Sequence, residues 1–560
     1  MSGGAAGRLT GLGVSPGVGY GPAYLFGGDV PEPPAGQRHA GEAGTERERA
    51  ARALEAVAAD LEARGERAGG EAGQVLAAQA MMARDPVLAA DVAALIDAGT
   101  VAARAVFEAF GKYRDLLRAA GGYLGERAAD LEDVRDRVVA FLTGHALPVL
   151  PVGAAEPYVL VARDLAPADT ALLTREAVAG FVTEEGGPTS HTAILARAMG
   201  VPAVVALEGA AAIPAGARVL VDGSSGEVVV EPDDGTVARV TARARKRGTA
   251  LVAAGPGRTL DGHPVPLLAN VGGPGDVEAA LAAGAEGVGL YRTEFLYLDR
   301  RAAPSEQEQE KAYREVLRAF PGRPVVVRTL DAGADKALAF LPPGREPNPA
   351  LGQRGVRLSG RHPAVLAAQL RALAAAAAGT NARLQVMAPM VATVEEAEWF
   401  AAACRTAGLS SAGVMIEIPA AALRAADLAP AADFFSVGTN DLAQYAFAAD
   451  RQVAALRALH DHWQPALLDL VALAMTGHDR PCGVCGEAAA DPAMACVLAG
   501  LGAASLSAAP AALPAVRAAL AAHTLEQCRT AARAARAAAT AARARQAARR
   551  ELPGLADLGL

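Results

Sequence analysis

From residue 263 onward, short apolar runs alternate with stretches of helix-forming sequence. The runs fall at residues 265–271, 287–290, 325–328, 384–388, 413–418, 434–437, 482–485 and 504–506. Eight strands alternating with helices over about 250 residues is the arithmetic of a (β/α)8 TIM barrel, although a doubly wound sheet gives a similar alternation. Polar and ionisable residues gather just past the ends of these runs: Asn270, Arg292 with Glu294, Arg328 with Asp331, Glu417, Asn440 with Asp441, and Glu487. In a barrel that is the face on which active sites form.

A different pattern fills residues 42–144. Leu54, Val57 and Leu61, and later Leu131, Val134, Val138 and Leu142, recur three and four apart, which predicts several antiparallel helices. Asp85-Pro86 and Gly121-Gly122 are the expected breaks. Strand patterns flank this block. The first twenty residues read as short strands and turns, and runs at 158–163, 180–183 and 201–207 precede a strand–turn–strand unit at 219–232. The fold class expected is therefore multidomain α/β. Residues 1–30 and 145–232 form an α/β domain, 31–144 a helical bundle inserted into it, 233–260 a basic linker, and 261–560 the barrel.

Composition narrows the function classes. At 560 residues the chain has room for two to four domains. A 52% hydrophobic and 20% charged content excludes disorder as the dominant state. Five Cys is reducing-compartment usage, expected of a cytoplasmic protein, and the N-terminus lacks a signal-peptide pattern. A net charge of -8 argues against a chain that coats nucleic acid or membrane. Residues 492–516 carry no charge, long enough to span a bilayer, but Gly500, Gly502, Pro510 and Pro514 interrupt them. They read as helix, short buried strand, then helix start. The tail at 529–550 holds seven Arg and no acid. Without aromatics for base stacking it reads as a terminal helix with a solvated basic face, not a nucleic-acid arm.

The sharpest local signal is GGPTSHTAILARAMG at 186–200. Two glycines make a tight turn, hydroxyls surround His191, and a helix follows, so His191 stands near a helix N-terminus that favours an anion. In the barrel half, Arg292, Arg328 and Arg354 end separate elements, which suggests a polyanionic small substrate. Glu417 and Asp441 follow separate strands beside these arginines. They fit a Mg²⁺ or Mn²⁺ site, while a pair of helix caps or loop acids fits the spacing equally. Cys482 and Cys485 form a CxxC that is half a zinc site, a redox pair, or a single thiol delivering a proton; the residues alone leave this open.

Taken in order, GLGVSPGVGYGPA, YLGERAADLEDVRDRV, GGPTSHTAILAR, GVGLYRTEFLYLDR, RTLDAGADK, NPALGQRGVR, IEIPAA, SVGTNDLAQY and CGEAAADP span nearly the whole chain. In these segments it resembles the enzyme I family of the bacterial phosphoenolpyruvate:sugar phosphotransferase system. The resemblance implies that His191 is phosphorylated by phosphoenolpyruvate through Nε2, with Thr170 partnering the imidazole. It implies that Arg292, Arg328 and Arg354 clamp phosphate, that Asn440 and Arg451 hold substrate phosphate and carboxylate, and that Glu417 and Asp441 ligate Mg²⁺. Cys485, rather than Cys482, takes the place of the proton donor. The resemblance also implies transfer to a histidine phosphocarrier protein docked on the helical domain, a homodimer formed through the barrel, and a His191 domain that swings between substrate and carrier, with residues 239–248 as the hinge region. Four positions depart from the family pattern: Pro188 for an Arg, Ala334 and Ala490 for Gly, and Gln79 for a His. The last is expected to alter the carrier-facing surface. Related dikinases and synthases need a large ATP-binding domain, for which about 150 mostly helical residues leave no room.

Overall fold

Strands and helices form where the two periodicities place them. The structure, a computed structural model, describes residues 7–26, 30–68, 70–120, 122–145, 156–165, 173–187, 190–250, 255–298, 300–333, 338, 340–341, 346–451 and 453–560. Two compact units divide the chain, Met1–Ala244 and Arg245–Leu560.

In the first unit, strands β1 (Gly7–Thr10), β2 (Leu12–Ser15), β3 (Val18–Phe26), β4 (Tyr158–Ala162), β5 (Val178–Thr183), β6 (Ala203–Val205), β7 (Arg218–Asp222) and β8 (Glu227–Val230) build one sheet in the order β1-β8-β7-β3-β4-β5-β6-β2. The centre, β3-β4-β5-β6, is parallel, with Ala23 opposite Val159 and Phe181 opposite Ala203; its other pairings are antiparallel. Gly19 in β3 shows how closely the backbones pack, since a Cβ there would come within 1.9 Å of the Ala179 carbonyl oxygen. Between the neighbours β3 and β4 the chain makes helices α1 (Ala43–Ala68), α2 (Gly70–Ala83), α3 (Pro86–Asp97), α4 (Ala102–Ala120) and α5 (Gly122–Thr143). Leu54, Val57, Leu61, Val134 and Val138 meet in their shared core. The Asp85-Pro86 break works as a cap. The Asp85 carboxylate accepts from the Val87 and Leu88 amides, and proline occupies the first turn, where no amide is needed. Gln79, at the position where the family pattern has a His, is fully buried and donates to Asp130.

Helix α6 (His191–Met199) begins at the predicted histidine. Helix α7 (Asp234–Ala250) occupies most of the segment expected as linker, and the division between units falls inside it.

The second unit is a closed barrel of eight parallel strands: β9 (Leu267–Val271), β10 (Val288–Arg292), β11 (Pro324–Arg328), β12 (Arg383–Ala388), β13 (Ala412–Ile416), β14 (Phe435–Val437), β15 (Cys482–Val484) and β16 (Ser505–Ala508). Strand alternation sorts the side chains. Val325 and Val327 join the large core beneath the helices, while Val326 packs inside the barrel with Leu290, Met387, Met415, Phe434 and Cys485. The uncharged stretch resolves into a helix at Pro492–Leu501, β16, and a helix at Leu513–Ala521. Among the described residues no helix is long and apolar enough to cross a membrane. The Arg-rich tail forms two helices, Leu525–Arg536 and Ala541–Glu551, that bury Cys528, Ala531, Ala535, Ala544 and Ala548 against the barrel core. Its arginines lie outside, with Arg536 paired to Asp469 and Arg545 to Asp461.

Candidate active site

The barrel strands end in a row of charged residues, as the sequence predicts. Arg292 closes β10, Arg328 closes β11, Glu417 follows β13, Cys485 follows β15, and Asn440 and Asp441 open the helix Thr439–Ala446 after β14. Arg354 precedes a short helix at Val356–Arg361, and Arg451 follows the Asp441 helix. Five of these residues join one electrostatic cluster.

Arg328 is buried and donates through Nη2 to Glu294 Oε1 at 2.7 Å, while Nη1 lies 3.3 Å from Asp331 Oδ2. Arg354, almost wholly buried, donates through Nη1 to Asp441 Oδ1 at 3.2 Å and to the Tyr445 hydroxyl at 2.7 Å, and through Nη2 to Asp331 Oδ2 at 3.4 Å. Arg451 reaches the other Asp441 oxygen at 3.4 Å from the exposed rim. Burial alone would lower the Arg328 pKa, but Glu294, Asp331, Glu417 and Asp441 more than offset that and leave it raised. The Arg328 Nε is buried and has no acceptor. A buried donor left this way points to an acceptor supplied by a ligand.

Glu417 is fully buried, and its Oε1 accepts from the Met390 amide at 2.7 Å. Burial raises its pKa, Asp441 and Asp331 raise it further, and Arg328 opposes them. Two hard-oxygen carboxylates that repel each other suit a divalent cation. Among the described residues no three His, Cys, Asp or Glu groups are gathered to hold an ion by themselves. Mg²⁺ commonly takes only one or two carboxylates, with substrate phosphate and water completing its shell, so Glu417 and Asp441 fit it. The raised pKa has a measurable consequence. A carboxyl whose folded pKa exceeds the unfolded value contributes stability that is present below pH 4.5 and lost as pH rises through the folded value, here pushed up to about 8. In EDTA the barrel unit is expected to melt at progressively lower temperature from pH 5 to pH 8, more steeply than Glu417→Gln. A profile identical in the two proteins would contradict this origin.

Cys485 and Cys482 go to different places. Cys482 packs in the core beneath the helices and Cys485 inside the barrel, so neither a disulfide nor a shared metal joins them, and all five cysteines are free. Burial raises the Cys485 pKa; a hydrogen bond from Ser436 and the charges of Arg328 and Arg292 oppose the rise. The group is a protonated thiol at neutral pH, suited to giving a proton. Beside it, Arg292, Asn270, Asp276, Phe295, Glu487 and Ala490 line a cavity of about 610 Å³.

His191 is the first residue of α6. Ser190 caps that helix by accepting from the Ala193 amide at 3.3 Å, and Gly200 ends it at φ 63°. Thr170, Pro188 and Ala334 lie outside the described residues. Asn440 is half-buried, and its Oδ1 accepts from the Glu487 amide at 3.0 Å. Sequence reasoning did not select Glu294, Asp331 or Tyr445, although the first two were visible as acids just past strand ends. It also missed Gln369. That buried amide accepts from the Leu330 backbone and donates to Thr293, whose hydroxyl donates to the Arg328 carbonyl, and so it braces the arginine from behind.

An eight-stranded barrel whose mouth gathers arginines, carboxylates and a buried thiol has the donors to hold a small polyanion. Comparison with known sequences narrows that reading. Three family models match in succession: PEP-utilising enzyme, N-terminal (residues 10–127), mobile domain (154–226) and PEP-binding domain (246–525). A "Phosphoenolpyruvate-protein phosphotransferase" of Streptomyces coelicolor is 62% identical over 98% of this chain and 99% of its own. A protein of the same name from Haloferax volcanii is 42% identical over 90% of this chain and 92% of its own. A "Multiphosphoryl transfer protein" of Xanthomonas campestris is 41% identical over 90% of this chain but 62% of its own length. The chain belongs to the PEP-utilising enzyme family.

Proposed function

We propose that this protein is a phosphoenolpyruvate–protein phosphotransferase of the enzyme I type, which takes a phosphoryl group from phosphoenolpyruvate onto a histidine and passes it to a protein carrier. The observation that carries the barrel's part is Arg328, a guanidinium fixed by Glu294 and Asp331 with its Nε left for a ligand.

In this reading Arg292, Arg328 and Arg354 hold the substrate phosphate, and Asn440 and Arg451 orient the phosphate and carboxylate. Arg354 and Arg451 exchange their contacts with Asp441 for substrate oxygens. Glu417 and Asp441 would hold Mg²⁺, or Mn²⁺ in its place; when bound, the ion offsets charge on the phosphoryl oxygens and the enolate. The unprotonated imidazole of His191, oriented by Thr170, attacks phosphorus in line. An N–P bond forms as the bond to the enol oxygen breaks. Cys485 then gives its proton to C3 of the enolate, and pyruvate leaves. The histidine phosphocarrier protein, docking on residues 31–144, accepts the phosphoryl group as the first step of sugar uptake. The barrel unit is proposed as the homodimer contact.

The test uses phosphoenolpyruvate labelled in its phosphate, with Mg²⁺ and the full chain. The expected result is acid-labile, base-stable label on the protein, equimolar pyruvate, and discharge when carrier is added. A folded protein that takes no label with Mg²⁺ present would overturn the reading.

A further inference from the structure

We propose that Asn270 is the positioning residue for the proton donor Cys485 and that Ser507 sets the orientation of Asn270. This rests on the reading of Cys485 given above.

The argument starts from the peptide that carries the thiol. Cys485 lies one residue past the end of β15, where the barrel ladder stops. Its amide still pairs with β14, donating to the Val437 carbonyl at 3.0 Å. Its carbonyl does not continue the ladder to the other neighbour, β16. It accepts instead from Asn270 Nδ2 at 3.0 Å. Asn270 lies on β9, two strands away around the barrel, so this side chain reaches across β16 to hold the peptide. On β16 itself the Ser507 hydroxyl donates to Asn270 Oδ1 at 2.6 Å. A carbonyl can only accept, so the amide must turn its nitrogen to Cys485, and the serine then satisfies its oxygen.

The other side of the peptide is equally constrained. A Cβ on Gly486 would sit 1.9 Å from the Thr439 hydroxyl and 2.7 Å from its amide nitrogen, and the Glu487 amide donates to Asn440. The thiol contacts the Val437 carbonyl at 3.6 Å. Its place inside the barrel is therefore set by backbone bonds on both sides, and Asn270 supplies the one that is not part of a strand ladder. Asn270 also lines the 610 Å³ cavity beside Arg292. One side chain thus touches both the space open to substrate and the peptide bearing the proton.

Protonation at C3 adds a hydrogen to one face of a planar enolate. A thiol held in one place delivers to one face. A thiol on a loosened peptide loses the competition to solvent, which delivers to both. The configuration of the methyl group in pyruvate therefore reports thiol position per turnover, whatever the fraction of folded protein.

The experiment gives the full chain, with Mg²⁺ and carrier in tritiated water, phosphoenolpyruvate bearing one deuterium of fixed geometry at C3. The pyruvate is then analysed for methyl chirality. The unsubstituted protein is expected to yield one configuration and Cys485→Ser a racemic methyl in its residual turnover. Asn270→Ala and the equal-sized Asn270→Asp, which keeps an acceptor for Ser507 but has no amide for Cys485, should both give mixed configurations. Their kcat should fall about tenfold with KM for phosphoenolpyruvate nearly unchanged, the scale of one lost hydrogen bond in the transition state. Ser507→Ala should scramble less than either. Slow Asn270 variants that retain a single configuration would overturn the inference while leaving Cys485 as donor. A single configuration from Cys485→Ser would remove the donor reading and the inference with it.

Discussion

Replacing His191 by alanine is expected to leave a folded protein that takes up no phosphoryl group from phosphoenolpyruvate. Position 191 opens α6, and the cap on that helix is the neighbouring Ser190 side chain, which accepts from the Ala193 amide. Alanine is the strongest helix former, so the substitution retains the cap and costs the helix nothing in propensity. Chemistry is what disappears. A phosphoryl group gathered at the first turn is favoured by the helix dipole and the unpaired amides there, but only a side chain with a nucleophilic nitrogen can hold it covalently. The informative control is Ser190→Ala, which removes the cap at a cost of about 1 kcal/mol and should still accept label. Both variants are followed by incorporation from labelled phosphoenolpyruvate and by thermal melting. Label on His191→Ala would move the phosphorylation site elsewhere. Loss of label from Ser190→Ala alone would make the cap, and not the imidazole, the limiting element.

The barrel was legible because its signal repeats. Each of the eight apolar runs became a strand, with ends shifted by a residue or two; β9 starts at Leu267 because Pro266 offers no amide to the ladder. The helical block was legible from spacing and from Asp85-Pro86, whose cap is a purely local device. Residues 233–260 were harder. A run of Arg and Ala outside a core reads equally as linker or helix, and α7 is the helix. Motifs also marked the expected barrel-site side chains, and Arg292, Arg328, Glu417 and Cys485 lie at or just past strand ends, where the apolar run gives way to polar residues, while Arg354 and Arg451 lie beside helices. Contacts made across the barrel mouth left no such mark. Glu294 bonds the Asp331 amide as well as Arg328, and Gln369 and Asn270 act through backbone carbonyls and amides from other elements. Sequence gives the residue type at each position but not which distant peptide it meets. The CxxC is intermediate. An offset of three along a strand puts two side chains on opposite faces, and that could have closed the zinc and redox readings once the strand was assigned. Gln79, where the motif pattern has a His, is fully buried, a placement that the motif alone does not reveal.

Arg328→Met is expected to cost both activity and stability, and the two losses should separate under a second substitution. The guanidinium lies between Glu294 and Asp331, all three almost wholly buried. Removing one member of such a network leaves carboxylates desolvated and uncompensated, with a cost of about 3–5 kcal/mol. Loss of a phosphate-clamping arginine costs a further factor of about 10³ or more in kcat/KM, because the clamp acts on charge that develops in transfer. Arg328→Lys keeps one positive charge but cannot fork to Glu294 and Asp331 while offering another donor to ligand. It should recover much of the stability and little of the rate. Adding Glu294→Gln to Arg328→Met removes one unpaired carboxylate, so urea unfolding of the double variant should lie above that of Arg328→Met alone, with transfer still absent. Equal stability of the single and double variants would show that the buried carboxylates do not depend on Arg328. Near-normal pyruvate release from Arg328→Lys would show that charge, rather than the fork held open by Glu294 and Asp331, is what the substrate requires.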